Sequence, residues 1–215
     1  MHRSSIYFWF LNIITTVIVA ILSYGFIKNL YFFNEDQVNL YLYYAGGARP
    51  WPHHILSQSL YPIHLLFGSN PEGHFILVLF LYIILCITLS FFVWKITGSK
   101  TVAFLSSILL AAGGTGSQML FMVETGWNSL YLIFSLITLL SYNVYLHNHR
   151  LAYYFIALVL FSISLYLFPY RAFSFIALIL ASSLFIINKP LKSHLIVSAR
   201  DCAPFLVIHL IFYLF

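Results

Sequence analysis

Apolar residues along this chain fall into long, nearly unbroken runs, each closed by a short polar break, instead of the alternating or three-and-four spacing of half-buried elements. Runs at residues 6–27, 75–94, 101–121, 127–146, 151–168 and 172–187 come close to the ~20 residues that cross some 30 Å of hydrocarbon. A seventh run begins near Ala203 and ends at Phe215, shorter than the ~17 residues a span needs. It reads as a helix cut partway along, with a short re-entrant or interfacial end as the plainer alternative. The first run follows His2 and Arg3 and has the flavour of a signal peptide. It is too long for one and lacks a small-residue cleavage site, so an uncleaved first span is expected. Lipid offers no partner to an open sheet edge. The fold class expected is therefore all-α: a polytopic transmembrane helical bundle of about 6–7 spans, forming one domain over residues 1–215.

Composition strengthens that picture. Of 215 residues 62% are hydrophobic and 7% charged, with mean hydropathy +0.94, against the roughly 25% charged of soluble domains. The formal net charge of +5 does not point to nucleic acid, because the ten Lys and Arg are scattered singly between the apolar runs and form no patch. They serve instead as topology signals. With the amino terminus inside, Arg3, Lys95, Lys100, Arg150, Lys189, Lys192 and Arg200 fall on inner segments, against Lys28, Arg49 and Arg171 outside. That asymmetry predicts an integral, multi-pass membrane protein with a cytoplasmic amino terminus. Four of the five acids, Glu35, Asp36, Glu72 and Glu124, then lie outside, and Asp201 lies inside. Cys86 and Cys202 fall at different expected depths, which argues against a bridge between them. No nucleotide-binding glycine motif, metal-type cysteine spacing, heptad or internal repeat is present. Chemistry, if any, belongs to the outer face or the membrane interior.

The longest connection is residues 28–74, between the first and second spans, and long ordered loops are usually functional. It is polar yet dense in aromatics. Val38, Tyr41, Leu42 and Ala45 recur at i, i+3, i+4 and i+7, so residues 36–45 are expected to form a helix lying on the membrane, with Asp36 in its first turn. A strand through Val38, Leu40 and Leu42 also fits the pattern but would leave its backbone unpaired at the bilayer surface. Gly46 and Gly47 end the helix, Pro50 and Pro52 turn the chain, and Leu56, Leu60, Ile63 and Phe67 offer a second apolar stripe, interrupted at Pro62.

An acidic pair just after the first span, a Tyr-rich amphipathic helix, a Gly46-Gly47-x-x-Pro50 turn and a Pro-containing stretch leading into the second span resemble the GT-C superfamily of membrane glycosyltransferases. That superfamily includes the protein mannosyltransferases and aminoarabinose transferases. The resemblance covers the chain as the amino-terminal half of such an enzyme. It implies transfer of a sugar from a polyprenyl-phosphate donor to an acceptor on the extracytoplasmic side, with inversion at the anomeric carbon. The partners implied are a lipid-linked sugar donor and membrane lipid.

Carried onto this sequence, the first-loop carboxylate of the family falls on Asp36, with Glu35 beside it and Glu124 in the connection after the third span. A carboxylate there can accept the proton of the attacking hydroxyl. The plainer reading of Glu35 and Asp36 is that they cap a surface helix; that of Glu124 is an interfacial cap before Trp127. Asp36 and Glu124 together also suit a divalent metal, since hard cations favour oxygen ligands, but the family varies in metal dependence and no metal is assigned. For the phosphate of the donor, Arg171 in the tight turn after the fifth span is the leading cation, with Arg49, His53 and His54 offering help from the first loop. Interfacial snorkelling explains Arg171 equally well. Asp36, Glu124 and Arg171 are expected around one outward cavity. The rival class is a transporter or lipid-translocation subunit; no expected span carries a charge in its middle, where transport sites declare themselves. An inactive membrane fragment is the third alternative.

Overall fold

The computed structural model of this chain describes residues 3–29, 66–68, 70–113, 120, 128–167, 179 and 191–214. Among these residues every regular element is helical. The elements are α1 (Arg3–Tyr24), continued by a 3-10 segment (Gly25–Asn29), α2 (Pro71–Thr97), α3 (Lys100–Ala112), α4 (Asn128–Asn148), α5 (Leu151–Leu167) and α6 (Leu191–Leu214). Three stretches are long and apolar enough to cross a membrane: Ser5–Asn29, Pro71–Thr97 and Asn128–Asn148. They coincide with the first, second and fourth runs of the sequence, and they make this a membrane protein. The chain divides into two compact units, Met1–Ile133 and Phe134–Phe215.

In the first unit, α2 begins and ends on local signals. The Asn70 side chain accepts from the Glu72 N–H at 3.1 Å, Pro71 occupies the first turn, and Gly98 closes the helix in the left-handed region at φ 68°. Ser99 then caps α3 by accepting from the Val102 N–H at 3.3 Å. The pairs Trp9–Trp94, Asn12–Ser90 and Tyr24–Tyr82 show α1 antiparallel to α2, and Ser90–Ala103 and Tyr82–Leu110 show α2 antiparallel to α3. The chain therefore leaves the 3-10 segment and enters α2 at the same end of this unit.

The burial pattern of α1 inverts that of a water-soluble helix. Its buried stripe is Asn12, Thr16, Ala20 and Tyr24, while Tyr7, Phe10, Leu11, Ile14, Ile18 and Leu22 are exposed. On α3 the buried positions are Ala103, Ser107 and Ala111, one small residue per turn. In lipid, apolar side chains gain little by meeting each other; small and polar residues collect between helices because they allow close approach and hydrogen bonds.

Two elements differ from the expected spans. The third run was expected to continue to residue 121, but α3 stops at Ala112, where Gly113 adopts an extended backbone at φ −76°, ψ 142°. A glycine pair gives the helix nothing to hold against its own conformational freedom. The seventh run was expected to start near Ala203, but its helix already begins at Leu191. Lys192, Ser193, His194 and Arg200 read as a polar connection by hydropathy, yet nothing in them forbids helix, and Pro204 is accommodated inside it.

In the second unit, the part of α4 from Phe134 onward turns back into α5, and Tyr142 and Tyr145 meet Tyr154 across the turn with ring centroids 6.5 and 5.0 Å apart. His149 takes the left-handed conformation at φ 51° and its N–H returns to the Tyr145 carbonyl at 2.7 Å, closing α4 much as Gly98 closes α2. Phe205 of α6 packs against Tyr142, Tyr154 and Phe161 with ring centroids 5.8, 5.8 and 5.2 Å away. Tyr154 meets Asp201 and Phe161 meets Phe205, so α5 and α6 run parallel.

Candidate functional site

The end of the first unit where α1 finishes and α2 begins holds the flanks of the long connection. His74 is buried one turn into α2; its Nε2 donates to the Gly68 carbonyl at 3.1 Å and its ring meets Phe67 at 5.6 Å. That bond ties residues 66–68 back onto the helix that follows them. Tyr24 and Tyr82 stack edge to face at 5.7 Å, and their hydroxyls donate to the carbonyls of Gly113 and Leu110. Leu110 lies in the last turn of α3 and Gly113 is the residue that closes it. Because α3 has 13 residues, it is ~20 Å long against ~40 Å for the 27 residues of α2, so its carbonyl end falls alongside the interior of α2. Carbonyls at a helix end lack the donor of a following turn, and within lipid they need partners nearby; the Gly113 N–H reaches the Leu110 carbonyl at 3.3 Å, and the two phenols add to it.

Deeper in the same unit, four polar side chains join three helices. Asn12 Nδ2 donates to Ser90 Oγ at 2.7 Å, Ser107 Oγ donates to Asn12 Oδ1 at 2.9 Å, and Thr16 Oγ1 donates to Ser107 Oγ at 3.2 Å. Ser90 Oγ in turn donates to the Ala103 carbonyl at 2.9 Å. No charge enters this network. It fastens α1, α2 and α3 together without offering an acid or base.

The second unit contains a charged cluster that neither hydropathy nor motif singles out. Arg200 contacts Asp201 Oδ1 through both Nε and Nη2, each at 3.1 Å. The two side chains differ sharply in exposure, 72% for Arg200 and 8% for Asp201. Pro204 has no N–H for the Arg200 carbonyl, and its ring crowds that turn of α6. The next carbonyl, that of Asp201, accepts from the Tyr154 hydroxyl at 2.8 Å. Tyr154 also packs on Tyr145 at 5.0 Å, and Tyr145 on His149 at 6.5 Å.

Depth decides how the Arg200–Asp201 pair is to be understood. It lies near the middle of α6 by sequence, where a buried charge would mark a transport path. But Tyr154 is in the first turn of α5, so the pair lies about one turn inside the α4–α5 connection. The α6 backbone before it, beginning at Leu191, continues beyond that connection by on the order of 10 Å. The cluster therefore marks the end of the α4–α5 hairpin, not its middle.

The residues expected to carry chemistry, Glu35, Asp36, Arg49, His53, His54, Glu124 and Arg171, lie outside the described residues, as do the interfacial helix over 36–45 and the run at 172–187 apart from Ile179. The acids that are described are Glu72, in the first turn of α2, and Asp201. Among the described residues no three His, Cys, Asp or Glu side chains come together as a metal site. Cys86 and Cys202 are both buried and free. Comparison with family models, curated proteins and solved structures finds no match to this chain.

Proposed function

We propose that this chain is a GT-C type membrane glycosyltransferase, or the amino-terminal module of one, taking a sugar from a polyprenyl-phosphate donor on the extracytoplasmic side. The observation that carries the reading is the acidic pair Glu35–Asp36, a few residues beyond the first membrane-competent helix, in a connection whose two flanks meet at one end of the first unit. A connection tethered at both flanks is suited to hold a reacting group at the membrane surface. In this reading the bundle has six to seven spans, with the amino terminus in the cytoplasm. Asp36 accepts the proton of the acceptor hydroxyl as its oxygen bonds to the anomeric carbon. The bond from that carbon to the carrier phosphate breaks, and the electron pair leaves on the phosphate, with inversion. Arg171, Arg49, His53 and His54 offset the negative charge that develops there.

The test is Asp36→Asn in the intact protein, assayed in membranes for sugar transfer from a polyprenyl-phosphate donor. Loss of a general base lowers rate by about 100- to 10,000-fold, with expression unchanged. Glu35→Gln is expected to have a smaller effect, because adjacent helix residues point about 100° apart. Transfer at the parental rate by Asp36→Asn would remove Asp36 from the mechanism.

A further inference from the structure

The end of the second unit where α4 turns into α5 gathers cations at one level. His147, His149 and Arg150 are all exposed around the turn. Arg150 lies one helical turn before Tyr154, whose hydroxyl holds α6 at Asp201. Arg200, next to Asp201, is exposed at 72% while its Nε and Nη2 edge is fixed by the buried carboxylate. A guanidinium held in this way keeps its Nη1 side available for a second acceptor without the loss of side-chain freedom that a mobile arginine would suffer on binding. Asp201 is the one acid among these residues. Arg150 and Arg200 outweigh it even with both histidines neutral.

We infer that this end of the α4–α5–α6 unit is a docking surface for the phosphodiester headgroup of an anionic phospholipid, with Arg200 and Arg150 as its cationic contacts. Three features favour a bilayer lipid as the occupant. The cluster lies about one turn inside the end of a hairpin containing a membrane-competent helix, which is headgroup level. The hairpin below it is lined by exposed apolar side chains, Leu151, Phe155 and Val159 on successive turns of α5, which can cover an acyl chain. Aromatic rings at this level, Tyr145 and Tyr154, are the residue type that lies at membrane interfaces. Basic positions at helix ends are attracted to anionic leaflets by about 1 kcal/mol per arginine, a fivefold change in affinity. The inference does not depend on sugar transfer, and it invokes none of the residues proposed for that reaction.

The full-length protein, purified in detergent and stripped of lipid, would be titrated with dioleoyl phosphatidylglycerol or dioleoyl phosphatidylcholine, and bound lipid counted by native mass spectrometry. Phosphatidylglycerol is expected to be retained in preference to phosphatidylcholine, and Arg200→Gln and Arg150→Gln each to weaken that retention about fivefold. Phosphatidylcholine retention should not change. Arg150→Gln guards against a folding artefact, since Arg150 is exposed and outside the Asp201 contact. Equal retention of the two lipids, or unchanged phosphatidylglycerol binding in Arg150→Gln, would overturn the inference. So would displacement of the lipid by millimolar glycerol phosphate, which would make the site one for a soluble phosphate.

Discussion

Replacing Asn12 with Leu removes the centre of the hydrogen-bond network in the first unit while keeping the number of side-chain heavy atoms. Asn12 is fully buried and makes two interhelical bonds, to Ser90 at 2.7 Å and from Ser107 at 2.9 Å. Side-chain bonds between membrane helices average ~0.6 kcal/mol and reach ~1.7, so two of them amount to ~1 to ~3 kcal/mol. The upper part of that range would require stranded partners, and the geometry argues against stranding. Ser90 still donates to the Ala103 carbonyl at 2.9 Å, and the Ser107 proton can pass to the Phe104 carbonyl at 2.9 Å. A cost of ~1 to ~2 kcal/mol is therefore expected for Asn12→Leu. Ser107→Ala should cost more than its lost bond alone, because it leaves the buried Asn12 Oδ1 without its donor. Unfolding in mixed dodecyl maltoside and dodecyl sulfate micelles, followed by tryptophan emission, provides the assay. Trp9 of α1 rests on Trp94 of α2 at 5.4 Å, so their separation reports on this interface. A double-mutant cycle of Asn12→Leu with Ser90→Ala should give a coupling of ~0.6 to ~1.7 kcal/mol. An unchanged unfolding midpoint for Asn12→Leu, or zero coupling, would refute the argument that these polar groups fasten α1 to α2.

Tyr24→Phe removes the phenol that donates to the Gly113 carbonyl and is expected to destabilise the first unit by ~1 to ~3 kcal/mol, whereas Tyr82→Phe should cost only ~0.5 to ~1.5 kcal/mol, because the Leu110 carbonyl keeps the Gly113 N–H. Faster hydrogen exchange in the last turn of α3 would accompany it, and unaltered exchange there would discount the phenols as caps. For topology, single cysteines at Asn34 and Gln118 should react with an impermeant thiol reagent added outside, whereas those at Ser99 and Asn148 should not; the opposite sidedness would invert the orientation read from the Lys and Arg asymmetry.

Much of the architecture is legible in one dimension because a membrane imposes a one-dimensional rule: a long apolar run with satisfied backbone bonds becomes a helix whatever its neighbours are. The first, second, fourth and fifth runs coincide with α1, α2, α4 and α5 to within a few residues for that reason. Their caps are equally local, as Asn70, Pro71, Gly98 and Ser99 illustrate. The acidic pair Glu35–Asp36 and the Gly46-Gly47-x-x-Pro50 turn are also sequence features, and they remain the basis of the proposed chemistry. Tertiary structure decided what hydropathy averages away. Asn12 and Thr16 look like minor blemishes in an apolar run; only packing against Ser90 and Ser107 makes them a junction. The end of α3 at Ala112 is stabilised by tyrosines from two other helices, and such long-range donors leave no trace in local spacing. Asp201 gives the clearest case. Its sequence position allows either a loop or a helix centre, and the Tyr154 hydroxyl, 47 positions away, sets its depth at the hairpin end, because a depth in the membrane is a relation between elements and not a property of any one of them.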